Sequence, residues 1–162
     1  MKEIFIKEGY VATIDDKDFE LVSRYKWSLY QRKNRKVVYA ITHIYKDNGV
    51  RTTVKMHNLI YPEYKLIDHK DLNGLNNCRN NLRNASNGQN QRNRGKYKGR
   101  SKFKGVTFNR GKWQARIGSG ACHYLGRFDT EIAAAKAYDT AALEHYGEFA
   151  RTNFEKPYSN SA

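Results

Sequence analysis

The chain has 162 residues, with 30 Lys and Arg against 16 Asp and Glu, a formal charge of +14, and only two cysteines, Cys78 and Cys122, far apart and outside any CxxC pair. That length allows one ordinary domain or two small modules in series, each burying about 60% of its unfolded surface if folded alone. The charge points to a polyphosphate bound through counterion release, while the cysteine pattern speaks against a zinc staple or a disulfide framework.

A membrane partner is disfavoured as well, because no apolar run reaches transmembrane length and no basic helix has a continuous apolar face. The opening MKEIFIKEGY lacks a signal-peptide apolar stretch, so a reducing cytoplasm is expected.

In chain order, Ile4 and Ile6, then Tyr10, Ala12 and Ile14, alternate as two short strands joined at Gly9. Asp15 and Asp16 are candidate helix caps. Phe19 and Val22, with or without Tyr25, recur at helical spacing and predict a short helix ending before Trp27. A strand over Trp27 to Tyr30, a basic turn over Gln31 to Lys36 and a strand over Val37 to Ile44 follow. Asp47, Asn48 and Gly49 have hairpin chemistry, because Asn and Gly tolerate positive φ, and return the chain as a strand through Val50 to Met56. This β-rich platform reads as scaffold. His57 to Tyr61 forms a helical turn closed by Pro62, and Tyr64 to Ile67 is extended.

The stretch Ile67 to Asn93, IDHKDLNGLNNCRNNLRNASNGQNQRN, is poor core material. Hydrolysing a phosphodiester needs an activated water, a cation and accurate positioning. Asp68 offers a hard oxygen of the kind Mg²⁺ takes, and His69 offers a base that is largely neutral at physiological pH. Neighbouring residues in a regular strand face opposite ways, so the pair serves one phosphate only if the strand ends there, at the loop-forming Asp71, Asn73 and Gly74.

Gln91 to Lys104 then holds seven Lys or Arg and no acid. Such composition cannot bury itself and reads as a phosphate-tracking linker, with Arg92, Arg94, Lys96, Lys98, Arg100 and Lys102 as contacts. Beyond it, Lys104 to Phe108, Lys112 to Ile117 and His123 to Phe128 read as strands around turns at Asn109 to Gly111 and Gly118 to Gly120. Asp129 or Thr130 caps a helix to about Tyr146, stopped by Gly147. Ile132, Ala135, Tyr138 and Ala142 share its packing face.

The pattern from Ile67 to Asn93 resembles the HNH endonucleases of the homing type, whose motif folds as two strands and a helix around one metal. The resemblance implies Asp68 and Asn90 as metal ligands for one Mg²⁺ or Mn²⁺, His69 as general base, and Asn81 as the asparagine that ties the loop. His57, in MHNLIYP, matches the family's upstream His segment, with Asn58 where Arg is usual, and takes either a structural or an active-site role. Asn93 is a turn or cap residue and a phosphate contact. His43, His123 and His145 read as surface or structural.

From Ser101 to Phe154, the runs KGV, GKW, LGRFDT, AAAKAYD and the closing NF resemble the plant ethylene-response-factor, or APETALA-type, DNA-binding domain. That resemblance implies a three-stranded sheet in the major groove with a helix behind it. Contacts then fall on Lys104, Thr107, Asn109, Arg110, Arg116, Tyr124 and Arg127, with Trp113 packing in the sheet and Tyr138 touching a phosphate. The RPW turn of the family is shortened here, and Arg116 stands where Glu is frequent.

The expectation is an α+β chain. An HNH endonuclease domain over 1–94 comprises a platform over 1–56 and a ββα-metal motif over 57–94. A basic linker over 95–100, an APETALA-type domain over 101–156 and a tail over 157–162 follow. Its expected activity is site-directed hydrolysis of double-stranded DNA, by nick or double-strand break, as a monomer or homodimer without an obligatory protein partner, in a bacterial cytoplasm and encoded by a phage. A DNA-binding regulator with an inactive nuclease half and a non-specific nuclease are the alternatives.

Overall fold

The computed structural model describes residues 1–33, 36–96, 99–118 and 122–154. Lys98, parts of the expected turns at 31–36 and 118–120, and the tail 157–162 therefore lie outside the described residues. The chain divides into two compact units, Met1–Asn87 and Gly88–Ala162.

In the first unit, β1 (Lys2–Lys7) and β2 (Tyr10–Ile14) form an antiparallel hairpin through Gly9, whose φ of 76° suits a residue without a side chain. A short 3-10 turn, Asp16–Asp18, leads into α1 (Phe19–Ser23). The expected capping by Asp15 or Asp16 does not occur. Asp15 instead accepts a hydrogen bond from the Arg79 backbone N–H at 2.7 Å, so a distant loop takes the oxygen that the local cap would have used.

A second sheet has the order β3 (Ser28–Gln31), β4 (Val38–Tyr45), β5 (Arg51–Lys55), antiparallel throughout, with the β4–β5 turn at Gly49 as expected. The helical turn α2 (Met56–Ile60) follows directly. Then β6 (Ile67–His69) pairs antiparallel with β7 (Leu82–Asn84). Ala12, Ile14, Val22, Trp27, Ala40, Met56, Ile60, Ile67, Leu75 and Leu82 form one buried cluster, so the three sheets and both short helices of this unit share a core.

Helix α3 (Asn87–Asn93) starts at the last residue of the first unit, and the second unit goes on to a three-stranded antiparallel sheet of β8 (Val106–Asn109), β9 (Lys112–Ile117) and β10 (His123–Phe128), with β9 central. Helix α4 (Glu131–Tyr146) covers one face. Thr130 is its N-cap, accepting from the Ala133 N–H at 3.1 Å, and Gly147 ends it at a φ of 51°. Ala134, Ala135, Ala141 and Ala142 are buried, and their small size lets the helix axis lie close to the strands. Ile132, expected on this face, is instead exposed, because it lies in the first helical turn at the margin of the buried stripe.

Two contacts seal this unit. Gly105, at a φ of 74°, lets the Tyr138 ring come so close that an added Cβ would sit 2.0 Å from its Cδ2. Asp139 accepts hydrogen bonds from the backbone N–H groups of Asn153 and Phe154, and the Asn153 side chain ties on to the Lys104 backbone. Replacing Gly105 by Ala adds both a positive-φ cost and a ring clash; we expect a loss of more than about 2 kcal/mol, measured as a lowered denaturation midpoint of the second unit.

Candidate nucleic-acid interface

Alternation along β9 sends Ala115 and Ile117 toward α4, and Lys112, Gln114 and Arg116 to the opposite face. The register completes that outer face. Thr107 lies opposite Gln114 and Asn109 opposite Lys112 on one side, with Tyr124 opposite Arg116 and Arg127 opposite Gln114 on the other. A bulge between Tyr124 and Gly126 keeps Tyr124 and Arg127 on one side despite their odd spacing. Five expected contact residues, Thr107, Asn109, Arg116, Tyr124 and Arg127, are therefore gathered on one surface.

Arg110 sits in the β8–β9 turn at a φ of 46°, and its carbonyl accepts from Arg127 Nη2 at 3.0 Å. That bond fixes the tip of the face. Trp113 packs edge-on against Phe108, within the sheet as expected, and the Arg100 guanidinium lies 4.8 Å from the Phe108 ring centroid.

Three expected DNA contacts are placed otherwise. Tyr138 is 3% exposed beneath the sheet, and burial pushes its phenol pKa up, so it packs and does not reach phosphate. Asn93 is buried too. Lys104 directs its Nζ to the carbonyls of Arg92 and Arg94, at the C-terminal end of α3. Burial, with Arg151 nearby, lowers its pKa to about 8; the ammonium serves α3 as a C-terminal cap. Arg92, Arg94, Lys96 and Lys102 are exposed, with Arg92 over the Tyr146 ring at 4.8 Å.

The first unit builds a different site. Asp68 and His69 are 3% and 5% exposed, and their partners are separate. Asp68 Oδ2 receives Nε and Nη2 of Arg83, its register partner on β7, at 2.9 and 2.7 Å. His69 Nε2 lies 3.5 Å from Asn77 Oδ1, and its ring meets His57 at a centroid distance of 4.8 Å and Tyr39 at 5.8 Å.

His57, on α2, is 4% exposed, and among the described residues its Nδ1 has no hydrogen-bond partner. Burial first, then His69 and Lys55, lower its pKa to about 2; burial likewise lowers that of His69. Both imidazoles are neutral at pH 7.

The loop between β6 and β7 is pinned from within. Asn81 Oδ1 accepts from the Asp71 N–H, and Asn81 Nδ2 donates to Asp71 Oδ1 and the Asn76 carbonyl, at 2.9 to 3.1 Å. This is the loop-tying geometry expected of Asn81. Arg79, which the sequence did not single out, holds the same loop from outside: Nε and Nη2 grip buried Asp18, and its guanidinium lies 4.7 Å from the Tyr61 ring centroid. An Arg beside Cys78 in an asparagine loop gave no signal, since its partner lies 61 residues away.

Arg83 holds Asp68 through Oδ2, and among the described residues no three His, Cys, Asp or Glu gather as a metal site. Strands β6 and β7 precede α3 in the order that the endonuclease resemblance implies, but a ββα-metal motif is not shown.

No family model matches the chain. APETALA2-like protein 2 of Oryza sativa subsp. indica is 53% identical over 62 residues, covering 36% of this chain and 14% of the rice protein. The AP2-like ethylene-responsive transcription factor PLT2 of Arabidopsis thaliana is 51% identical over 63 residues, covering 36% and 11%. The ethylene-responsive transcription factor WRI1, also of Arabidopsis thaliana, is 44% identical over 63 residues, covering 36% and 15%. About 36% of this chain is homologous to the AP2/ERF-type DNA-binding domain.

The chain spans only 11 to 15% of the length of these relatives. They give no support to an endonuclease half. They also overturn the expected bacterial cytoplasm and phage origin, because they are plant proteins, two of them named as transcription factors.

Two outcomes follow for the first unit. Replacing Arg83 by Ala strands a buried carboxylate, at a cost of about 3–5 kcal/mol, seen in urea unfolding. The neutral burial of His57 lets the unfolded chain bind a proton that the folded chain refuses below its ordinary pKa. Stability therefore falls as pH drops from about 6.5, with a slope of up to about 1.4 kcal/mol per pH unit for this group. His57→Phe should flatten that dependence in thermal melts at pH 5 to 7.

Proposed function

We propose that this chain is a sequence-specific double-stranded-DNA-binding protein whose β8–β9–β10 face lies in the major groove, serving a regulatory role. The single observation that carries this reading is the outer face of the sheet, where Thr107, Asn109, Arg116, Tyr124 and Arg127 stand together on a segment like the AP2-type domain. The groove admits two neighbouring strands of such a sheet, and Arg and Asn carry the bidentate geometry that reads guanine and adenine. The shortened turn and Arg116 give this face its own chemistry, so its target sequence differs from that of the plant domains.

A second reading, hydrolysis of the bound DNA, is favoured by one arrangement in the first unit. His69 is held neutral, the state that accepts a proton, beside His57 and on the strand pair whose loop Asn81 ties. In this reading His69 takes the proton of the attacking water and Asn81 keeps the strand end in place. Mg²⁺ or Mn²⁺ is the cofactor that this reading calls for, with Asp68 as a ligand; the Arg83 pair on Asp68 stands against it.

Selection of binding sites from a random duplex library should return one preferred sequence, and Arg116→Ala with Arg127→Ala should abolish the preference, each well-made base contact being worth about 1–3 kcal/mol. Binding without preference would sink the specific reading. Incubating supercoiled plasmid with Mg²⁺ or Mn²⁺ decides the second: relaxed or linear product from the wild type, reduced about 10²–10⁴-fold by His69→Ala, supports hydrolysis. Intact plasmid under either metal leaves the regulator.

A further inference from the structure

The register of β3, β4 and β5 divides the first unit's sheet into two unlike faces. Leu29, Ala40, Thr42 and Val54 share the inner face, with Ala40 and Thr42 buried. The other carries Tyr30, His43, Tyr45, Arg51, Thr53 and Lys55, together with Tyr39 and Ile41. Tyr30 and Tyr45 are 41% and 73% exposed.

Every polar side chain among those six ends in a hydrogen-bond donor, and none is an acid. Arg32, Lys33 and Lys36 border the face at the β3–β4 end and Lys46 at the β4–β5 end, all exposed. From Leu21 to Lys46 the sequence has no Asp or Glu, and Asp47, in the exposed turn, is the first acid after it.

We propose that this face is a second DNA-binding surface, one that tracks the phosphate backbone of the duplex without reading bases. The proposal rests on the DNA-binding reading above. Arg, Lys, Thr and Tyr side chains are the groups that donate to phosphate oxygens, and such contacts position a protein on a duplex without carrying sequence information. A scaffold face with no partner has no need to exclude acids while displaying two tyrosines.

Lys55 Nζ lies over the Tyr39 ring at 4.6 Å, so cation and aromatic ring stand together at the α2 end of this face.

The test uses the full chain with Arg51→Gln and Lys46→Gln combined, and Tyr45→Phe separately, all exposed positions, with unchanged circular dichroism as the folding control. Duplex affinity is measured against salt, and hydroxyl-radical footprinting maps the protected phosphates. The double variant should lower the salt slope by about 2, at about 0.9 per phosphate contact, and lose one cluster of protected phosphates while that of the β8–β10 face persists. Tyr45→Phe should weaken protection in the same cluster.

An unchanged slope and footprint, with Arg116→Ala and Arg127→Ala still destroying specific binding, would overturn this surface and leave the DNA-binding reading intact. No duplex binding by the wild-type chain would sink both. If unpaired oligonucleotide displaces the duplex from wild type but not from the double variant, the face stacks bases, and the duplex-backbone proposal falls.

Discussion

The Arg79–Asp18 pair holds the first unit together. Asp18 is almost wholly buried, and a carboxylate in that setting is tolerated only because a guanidinium meets it through two nitrogens. Arg79 also reaches the Ile60 carbonyl and lies against the Tyr61 ring, while its own N–H binds Asp15. One side chain thereby joins the N-terminal helical turns, the end of α2 and the loop between β6 and β7. His57 stands on α2 and His69 at the end of β6, each beside an element that Arg79 joins.

The second unit uses the same device differently. Asp139, on α4, is satisfied by the backbone N–H groups of Asn153 and Phe154, not by a cation, and Asn153 passes the connection on to Lys104. The chain after α4 is thus stitched to the start of β8, which braces the sheet edge that carries Thr107 and Asn109. A rigid edge matters for recognition, because base contacts discriminate only when donors are held in position.

Charge is distributed in keeping with this division. The outer face of β8–β10 combines Arg, Asn and Tyr, the mixture suited to base edges, whereas the open face of β3–β5 and the exposed residues of 92–102 carry cations without acids. The buried Asp68–Arg83 pair is the exception. There a guanidinium and a carboxylate meet inside the strand pair and not on an open face.

Local chemistry alone determined much of this protein. Alternation in Ile4 to Ile14, the Asn48-Gly49 turn, the Thr130 cap and the Gly147 stop each depend on neighbours within a few residues, so those elements were legible, as was the loop-tying Asn81. Positions settled by distant partners were not. Asp15 abandons its cap for Arg79, Lys104 turns to the end of α3, Tyr138 sinks against Gly105 and Asp68 is taken by Arg83. In each case a polar or aromatic group follows the best partner that the packed core brings within reach. A linear sequence states which groups need partners; only the tertiary structure decides which partners they find.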